Sequence, residues 1–277
     1  MASDRMMTDL GLLVSDVDGT LVRSDKSLSD AVVAAAKRLQ AAGVPMSIIS
    51  ARPPSGMLWV AERLGLSVPI GAFNGGTIIG PDGTILSAAR LEPEIAKHML
   101  DLIQETGVVT WLFSAGRWHA DRPDSHHDEH ERKAANQEPV FGGDFSSLLG
   151  AVDKIVAVSD DAALLAKLEG TVARAVGAHA TVGQSQVYYL DITAPAANKG
   201  DGVAALSAAI GVPLPNVAVI GDQRNDMPMF RRAGLSIAMG QGPEAVRAAA
   251  MHVTGSNDED GVAQAIDTLL LPMVARQ

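Results

Sequence analysis

Asp16 and Asp18 stand two residues apart directly after Leu12-Leu13-Val14-Ser15, and Gly19-Thr20-Leu21 follows them. The run from Leu10 to Val14, interrupted only by Gly11, reads as a buried parallel strand. Open α/β sheets keep their ligands at the carboxyl ends of such strands. Period-two geometry sends Asp16 and Asp18 to one side and Val17 to the other, and Gly19 lets the backbone turn out of the strand. Two carboxylates ~4 Å apart at an effective dielectric near 20 repel by roughly 4 kcal/mol, so the pair needs a shared proton or a cation between its members. A calcium loop requires a Glu at its twelfth position and a helix before it, whereas here Ser27 fills that position and a strand precedes. A strand end closed by turn-forming Asp and Gly is the plainer alternative, and only context separates it from a functional reading.

The context is a set of polar groups at other strand ends. Val44 to Ile49 reads as a strand tipped by Ser50-Ala51-Arg52, with Pro53-Pro54 halting it. Val217 to Ile220 reads as another, followed by Gly221-Asp222-Gln223-Arg224-Asn225-Asp226. Lys199 falls in the first turn of a helix running through Ile210, where the helix dipole disfavours a cation unless an anion lies close. In a parallel sheet all these ends face one crevice. Asp16, Asp18, Asp222 and Asp226 bring −4 and Lys199 brings +1, and a phosphoryl group makes the sum more negative still. That arithmetic asks for a divalent cation, and an all-oxygen ligand set beside a phosphate points to Mg²⁺. A carboxylate can attack phosphorus, a second can move the leaving-group and water protons, and cations with N–H and hydroxyl donors can offset the charge on the transferring group.

The elements that must hold these residues follow a β-α-β-α-β order from Leu10 to Phe73, with helices read at 30–42 and 55–64 and turns at Asn74-Gly75-Gly76 and Pro81-Asp82-Gly83. The expected fold is α/β, a doubly wound parallel-sheet core with an inserted α+β cap. The core is expected at 1–83 and 191–277 and the cap at 84–190, where strands and helices shorten around a polar stretch, Asp121 to Ser147, without sustained periodicity. Within that stretch His126-His127-Asp128-Glu129-His130 places His126 and His130 at i, i+4, a spacing zinc could use, but no third ligand is identifiable and a solvated cap face is the preferred reading. The aromatics Trp111, Trp118, Tyr188 and Tyr189 read as core or interface residues.

The chain has 277 residues, 47% of them hydrophobic and 19% charged, the composition of an ordinary globular protein with room for one large domain or two modest ones. It has no cysteine, which rules out disulfides, thiolate metal sites and a thiol nucleophile. A net charge of −10 argues against general nucleic-acid binding. No stretch reads as a membrane span or a signal sequence, so the expected location is cytoplasmic; if a phosphate ester is the substrate, a local site and not the acidic surface must attract it.

Four ordered pieces, Asp16-Val17-Asp18-Gly19-Thr20-Leu21, Ser50-Ala51-Arg52, Asn198-Lys199-Gly200 and Gly221-Asp222-Gln223-Arg224-Asn225-Asp226-Met227, resemble the motifs of the haloacid dehalogenase superfamily. The resemblance spans nearly the whole chain and is closest to the Cof-type (subfamily IIB) sugar phosphatases, whose cap is inserted between the second and third motifs. It implies a Mg²⁺-dependent phosphomonoester hydrolase that acts on a small phosphorylated metabolite, a sugar phosphate in the first instance, and passes through an aspartyl phosphate. Asp16 is then the nucleophile and Asp18 the general acid/base. The metal falls to the Asp16 carboxylate, the Asp18 backbone carbonyl and Asp222, with Asp226 supporting it. Phosphate falls to Ser50, Ala51, Lys199, Asn225 and the backbone N–H of Val17. Two departures stand out: Ser-Ala-Arg where Thr-Gly-Arg is usual, and Asp191 where Glu is common. A phosphotransferase or phosphomutase on the same scaffold, or a non-catalytic phosphate sensor, are the alternatives.

Overall fold

The computed structural model describes residues 9–275. Strand β1 (Leu12–Ser15) is buried throughout, and Ser29 caps α1 (Asp30–Ala41) by accepting from the Val32 N–H. Strand β2 (Met46–Ile48) leads to α2 (Pro54–Leu64), which has a proline in its first turn and ends at Gly65 in the left-handed conformation. Strands β3 (Ile70–Ala72), β4 (Thr77–Ile79) and β5 (Ile85–Ala88) form a three-stranded antiparallel sheet, and an isolated parallel bridge from Ile49 to Gly71 joins β3 to the end of β2.

Next come α3 (Pro93–Gln104), β6 (Val109–Ser114), β7 (Arg117–Ala120), α4 (Ser125–Ala135), β8 (Val140–Phe141), β9 (Val152–Val158), α5 (Ala162–Val176), β10 (Thr181–Gln186) and β11 (Tyr189–Thr193). Their strands make one six-stranded sheet in the order β10-β11-β9-β6-β7-β8. The chain then forms α6 (Lys199–Ile210), β12 (Val217–Gly221), α7 (Met227–Phe230), β13 (Leu235–Ala238), α8 (Glu244–Ala249), β14 (His252–Val253), α9 (Gly261–Ala265) and α10 (Leu271–Val274). With β1 and β2 these complete a five-stranded, all-parallel sheet in the order β14-β13-β12-β1-β2. Among the described residues no helix is long and apolar enough to cross a membrane.

Alternation along the central strands accounts for the double winding. Leu13 and Ile220 pack on one face with Val32 and Leu39 of α1, Val60 of α2 and Val262 of α9, whereas Leu12, Val14 and Val219 pack on the other with Val203 and Leu206 of α6 and Phe230 of α7. The six-stranded sheet divides its side chains likewise. Leu112, Ile155 and Leu190 meet α3 and α5, while Trp111, Phe113, Trp118 and Val156 join the cluster that continues into the parallel-sheet layer. Phe113 meets Phe73 edge to face, with ring centroids 5.6 Å apart, so cap and core share an aromatic seam.

Three local expectations are corrected. The polar stretch 121–147 contains α4, an eleven-residue helix that Asp124 caps by accepting from the His126 and His127 N–H groups. Its inward positions are His127, Asp128, Glu131 and Ala135, a stripe of helical period written mostly in polar residues, which hides it from a hydrophobic-periodicity reading. His127 is accordingly buried and not solvated, its ring bonded to Asp160 at 3.1 Å and packed on Tyr188 and Tyr189. The strand read from Val187 begins at Tyr189, and its partner β10, Thr-Val-Gly-Gln-Ser-Gln, is too polar to announce itself.

One contact fixes how closely the layers approach. A Cβ built on Gly56 of α2 would lie 2.1 Å from the Ala134 carbonyl oxygen of α4, so only glycine permits this crossing, and Ser55 Oγ donates to the Ala135 carbonyl beside it at 2.5 Å.

Candidate active site

The parallel sheet delivers its polar residues where strands β1, β2 and β12 end. Asp16, the residue after β1, is 4% exposed; its N–H donates to the Ile220 carbonyl at 2.9 Å, which fixes it against β12. Lys199 Nζ reaches it from the first turn of α6, 2.5 Å from Asp16 Oδ1 and 2.5 Å from Asp226 Oδ1. These are the anions that the placement of a lysine at a helix start called for. Thr20 Oγ1 spans the other side, 3.1 Å from Asp16 Oδ2 and 3.3 Å from Asp222 Oδ1. Asp226 is fully buried, and its Oδ2 accepts from the N–H groups of Asp222 and Gln223, both at 2.8 Å. It therefore folds the loop that presents Asp222 while anchoring Lys199.

Asp16, Asp222 and Asp226 each offer a carboxylate oxygen, and the three oxygens lie within 4.8 Å of one another. Their formal charge of −3 meets +1 from Lys199, leaving −2. Burial raises the Asp16 pKa well above the ordinary range against the pull of Lys199, and the charges of Asp226 and Asp222 push the same way. Burial and Asp226 push Asp222 up to about 6. Lys199 is held above its ordinary value because the two carboxylates outweigh its own desolvation. Three all-oxygen donors with two uncompensated negative charges fit a hard divalent cation, which would be held by Asp16 and Asp222 with Asp226 behind them.

Asp18 departs from the expected arrangement. The like charges that press most on Asp16 are those of Asp226 and Asp222, and Asp18 is neutralised by cations of its own. Its carboxylate forks with Arg52 at 2.7 and 2.8 Å and takes Lys26 Nζ at 2.8 Å. Burial pushes its pKa up, but the hydrogen bond and charge of Arg52, with Lys26, outweigh this and hold it well below the usual carboxylate range. Asp18 thus carries an ionised carboxylate on the wall of the same cleft, outside the three-carboxylate group.

Ser50, Ala51 and Asn225 also line the cleft, with Asp16, Asp18, Lys199 and Asp222, whereas the Val17 side chain is packed into the core. Among the described residues, the N–H groups of Val17 and Ala51 donate to no protein acceptor. Two free backbone donors beside Ser50 and Lys199 suit an anion. The Ser50–Arg52 loop is itself held: Phe73 N–H donates to the Arg52 carbonyl at 2.9 Å and Asn74 N–H to the Ser50 carbonyl at 2.7 Å. Both latch residues have positive φ, 48° and 57°, a strain of about 1–3 kcal/mol each that the surrounding packing sustains.

Gly19 is the turn on which the acidic group depends. Its φ is +75°, and an added Cβ would stand 2.4 Å from Asp222 Oδ2. Gly19→Ala is expected to displace that carboxylate, costing about 1–3 kcal/mol of stability and weakening the affinity of the carboxylate group for a divalent cation roughly tenfold or more, as thermal denaturation and metal titration of the variant would report.

Motif reading singled out His130 but missed Glu131 and Lys154, the charged residues that enter from the cap. Glu131 of α4 and Lys154 of β9 line the cleft opposite Asp16, with His130, Tyr189 and Ser185 beside them. Lys154 did carry a signal, being a charge amid Val152-Asp153-Lys154-Ile155-Val156-Ala157-Val158, on the face it shares with Val156 and Val158. Burial raises the Glu131 pKa to about 7, against the pull of Lys154. A carboxyl raised on folding stabilises the protein below its unfolded value of 4.5 and loses that contribution as pH climbs through 7. Glu131→Gln, with no charge to bury, should match wild type at pH 4 and exceed it at pH 8 by up to roughly 3 kcal/mol, read as a higher Tm at the higher pH only.

The comparisons with known proteins agree with this geometry. The family model described as haloacid dehalogenase-like hydrolase matches residues 13–266. The chain is similar to the 5-amino-6-(5-phospho-D-ribitylamino)uracil phosphatase of Bacillus subtilis, 29% identical over 267 residues that cover 94% of this chain and 97% of that one. A crystal structure of a haloacid dehalogenase-like hydrolase from Bacteroides thetaiotaomicron superposes with a TM-score of 0.85 at 27% identity, covering 94% of this chain and all of that one (100%). The fold is shared as well with a subclass IIB sugar phosphatase, at a TM-score of 0.81 and 22% identity, over 94% of this chain and 99% of that one. With the strand-tip residues on one cleft, a six-stranded cap sheet above it and the match running almost from end to end, the chain belongs to the haloacid dehalogenase-like hydrolases.

Proposed function

We propose that this phosphatase hydrolyses the phosphomonoester of a small metabolite, a sugar phosphate in the first instance, by passing the phosphoryl group through Asp16. The observation that carries the reading is a buried carboxylate, at the tip of a central parallel strand, held between Lys199 and Thr20 and facing a cleft with unpartnered N–H donors.

In this reading an Asp16 oxygen attacks phosphorus, the ester P–O bond breaks, and the leaving oxygen takes a proton. Lys199 fixes Asp16 through Oδ1 and adds positive charge beside the transferring group, while Ser50, Asn225 and the N–H groups of Val17 and Ala51 receive phosphate oxygens. Mg²⁺, when bound at Asp16 and Asp222 with Asp226 in support, supplies charge neutralisation for the phosphoryl group. Water then cleaves the aspartyl phosphate and frees Asp16. Asp18 is the proton carrier: beside Arg52 and Lys26 it accepts a proton from the attacking water, and that proton is the one it gives to the leaving oxygen of the next turnover. The similarity to a phosphatase acting on a phosphorylated ribityl compound supports a small, hydroxyl-bearing substrate class.

The test is release of inorganic phosphate from a panel of sugar, polyol and nucleotide monophosphates, with Mg²⁺ and with chelator. Phosphate release that requires Mg²⁺ and is absent in Asp16→Asn supports the reading; release of phosphate by Asp16→Asn at the wild-type rate overturns it.

A further inference from the structure

Glu131 and Lys154 are each more than nine-tenths buried, with 7% and 6% exposure, and both point into the cleft that holds Asp16. Neither is satisfied by the protein. Among the described residues Glu131 accepts no hydrogen bond, and Lys154 Nζ makes only a 3.4 Å contact to the Ala51 carbonyl, a 3.7 Å approach to Asp191 and a 5.0 Å approach to the Phe113 ring. Asp191, behind Lys154, has both carboxylate oxygens buried without a hydrogen-bond partner. Buried polar groups are normally bonded, so a donor and an acceptor left open side by side mark a place for a ligand that supplies both.

We propose that Glu131 and Lys154 form the leaving-group subsite and select a neutral polyol, the carboxylate accepting from one hydroxyl and the ammonium donating to its neighbour. The contact to the Ala51 carbonyl sets this subsite directly beside the loop that takes phosphate, so a hydroxyl-bearing chain attached to a phosphate at Asp16 runs onto it. Charge decides for a neutral ligand. Lys154, Arg52 and Lys26 line this side of the cleft with Glu131 and Asp18, and Asp191 lies behind Lys154, so cations and carboxyl groups are interleaved and no cluster of one sign is left to attract an ionic leaving group. An alkyl or unsubstituted aryl group would leave both charges desolvated and unpaired, which is how sites built for hydroxyls reject analogues that lack them.

The inference rests on Asp16 being the phosphoryl acceptor, and its test separates the two. Sorbitol 6-phosphate and n-hexyl phosphate share a six-carbon chain and differ in its hydroxyls. Glu131→Gln and Lys154→Met are expected to lower kcat/KM for sorbitol 6-phosphate about 10- to 100-fold, mainly through KM, and to leave hexyl phosphate within about threefold. Equal losses on both esters, or none on the polyol ester, overturn the subsite. Calorimetric binding of sorbitol 6-phosphate in the Asp16→Asn background needs no turnover. There the same substitutions should weaken Kd by a similar factor, and an unchanged Kd overturns the subsite even if the chain hydrolyses neither ester, an outcome that separately sinks the phosphatase chemistry.

Discussion

Replacing Asp16 by asparagine is expected to lower kcat by about a thousandfold or more while making the metal-free protein more stable at neutral pH. The two effects have separate causes. The amide keeps the shape and can still accept from Thr20 or Lys199, but it cannot attack phosphorus and form an acyl phosphate. Stability moves the other way because the wild-type carboxylate is ionised at a cost: burial, then Asp226 and Asp222, raise its pKa far above the ordinary 3.8. A group raised on folding contributes most below its unfolded value and loses that contribution as pH rises through its folded value. Without divalent cation, Asp16→Asn should therefore melt above wild type at pH 7.5 and close to it near pH 3.5. Mg²⁺ should reverse the order at neutral pH by stabilising wild type more. A variant that is inactive and also less stable at every pH would instead make Asp16 a scaffold residue.

Lys199→Met removes the one ammonium among three buried carboxylates, and it should cost about 3–5 kcal/mol of stability, the penalty of breaking a buried ion pair and leaving its partners uncompensated. Both of its short contacts, to Asp16 and Asp226, vanish together. Asp226 also ties down the N–H groups of Asp222 and Gln223, so the loop carrying Asp222 is expected to loosen with it. Activity should fall about 10²- to 10³-fold, the scale for losing one preorganised group at the transferring charge. Raising Mg²⁺ should recover part of the melting temperature, because the cation meets the same excess negative charge, but not kcat, because the ammonium beside the phosphoryl group is still missing. Full activity and unchanged melting would show that Lys199 is not the counter-ion.

Sequence reading succeeds here where chemistry and periodicity coincide. Strands β1, β2 and β12 are apolar runs that end abruptly in polar residues, so the parallel sheet and the convergence of Asp16, Ser50, Lys199 and Asp222 on one cleft both follow from alternation and strand-end logic. Asp16 and Asp18 do line one cleft, but the cations that neutralise Asp18, Arg52 and Lys26, are its own and not shared with Asp16, which spacing alone does not disclose. Arg52 was visible as a guanidinium at a strand tip, but its grip on Asp18 depends on the Asp18 turn and the Ser50–Arg52 loop being brought face to face, which no local pattern encodes. Helix α4 stayed hidden because it turns His127, Asp128 and Glu131 inward instead of aliphatic residues. Its polarity, which defeats a periodicity test, is the same property that gives the cleft its cap-side carboxylate.

The close crossing at Gly56 has a mechanical corollary. That residue touches Ala134 through bare backbone, its neighbour Ser55 bonds to Ala135 and Gln137, and its carbonyl accepts from Arg52 Nη1 at 3.3 Å. Among the described residues, no hydrogen bond ties the β10–β11 tip, Ser185 to Val187, to Gln223 and Arg224 across the mouth they share. One margin of the cleft is therefore riveted backbone to backbone, while the other is open. Because the rivet includes the guanidinium that grips Asp18, one side chain, Arg52, braces the joint between α2 and α4 and also sets the charge balance of a carboxylate in the cleft.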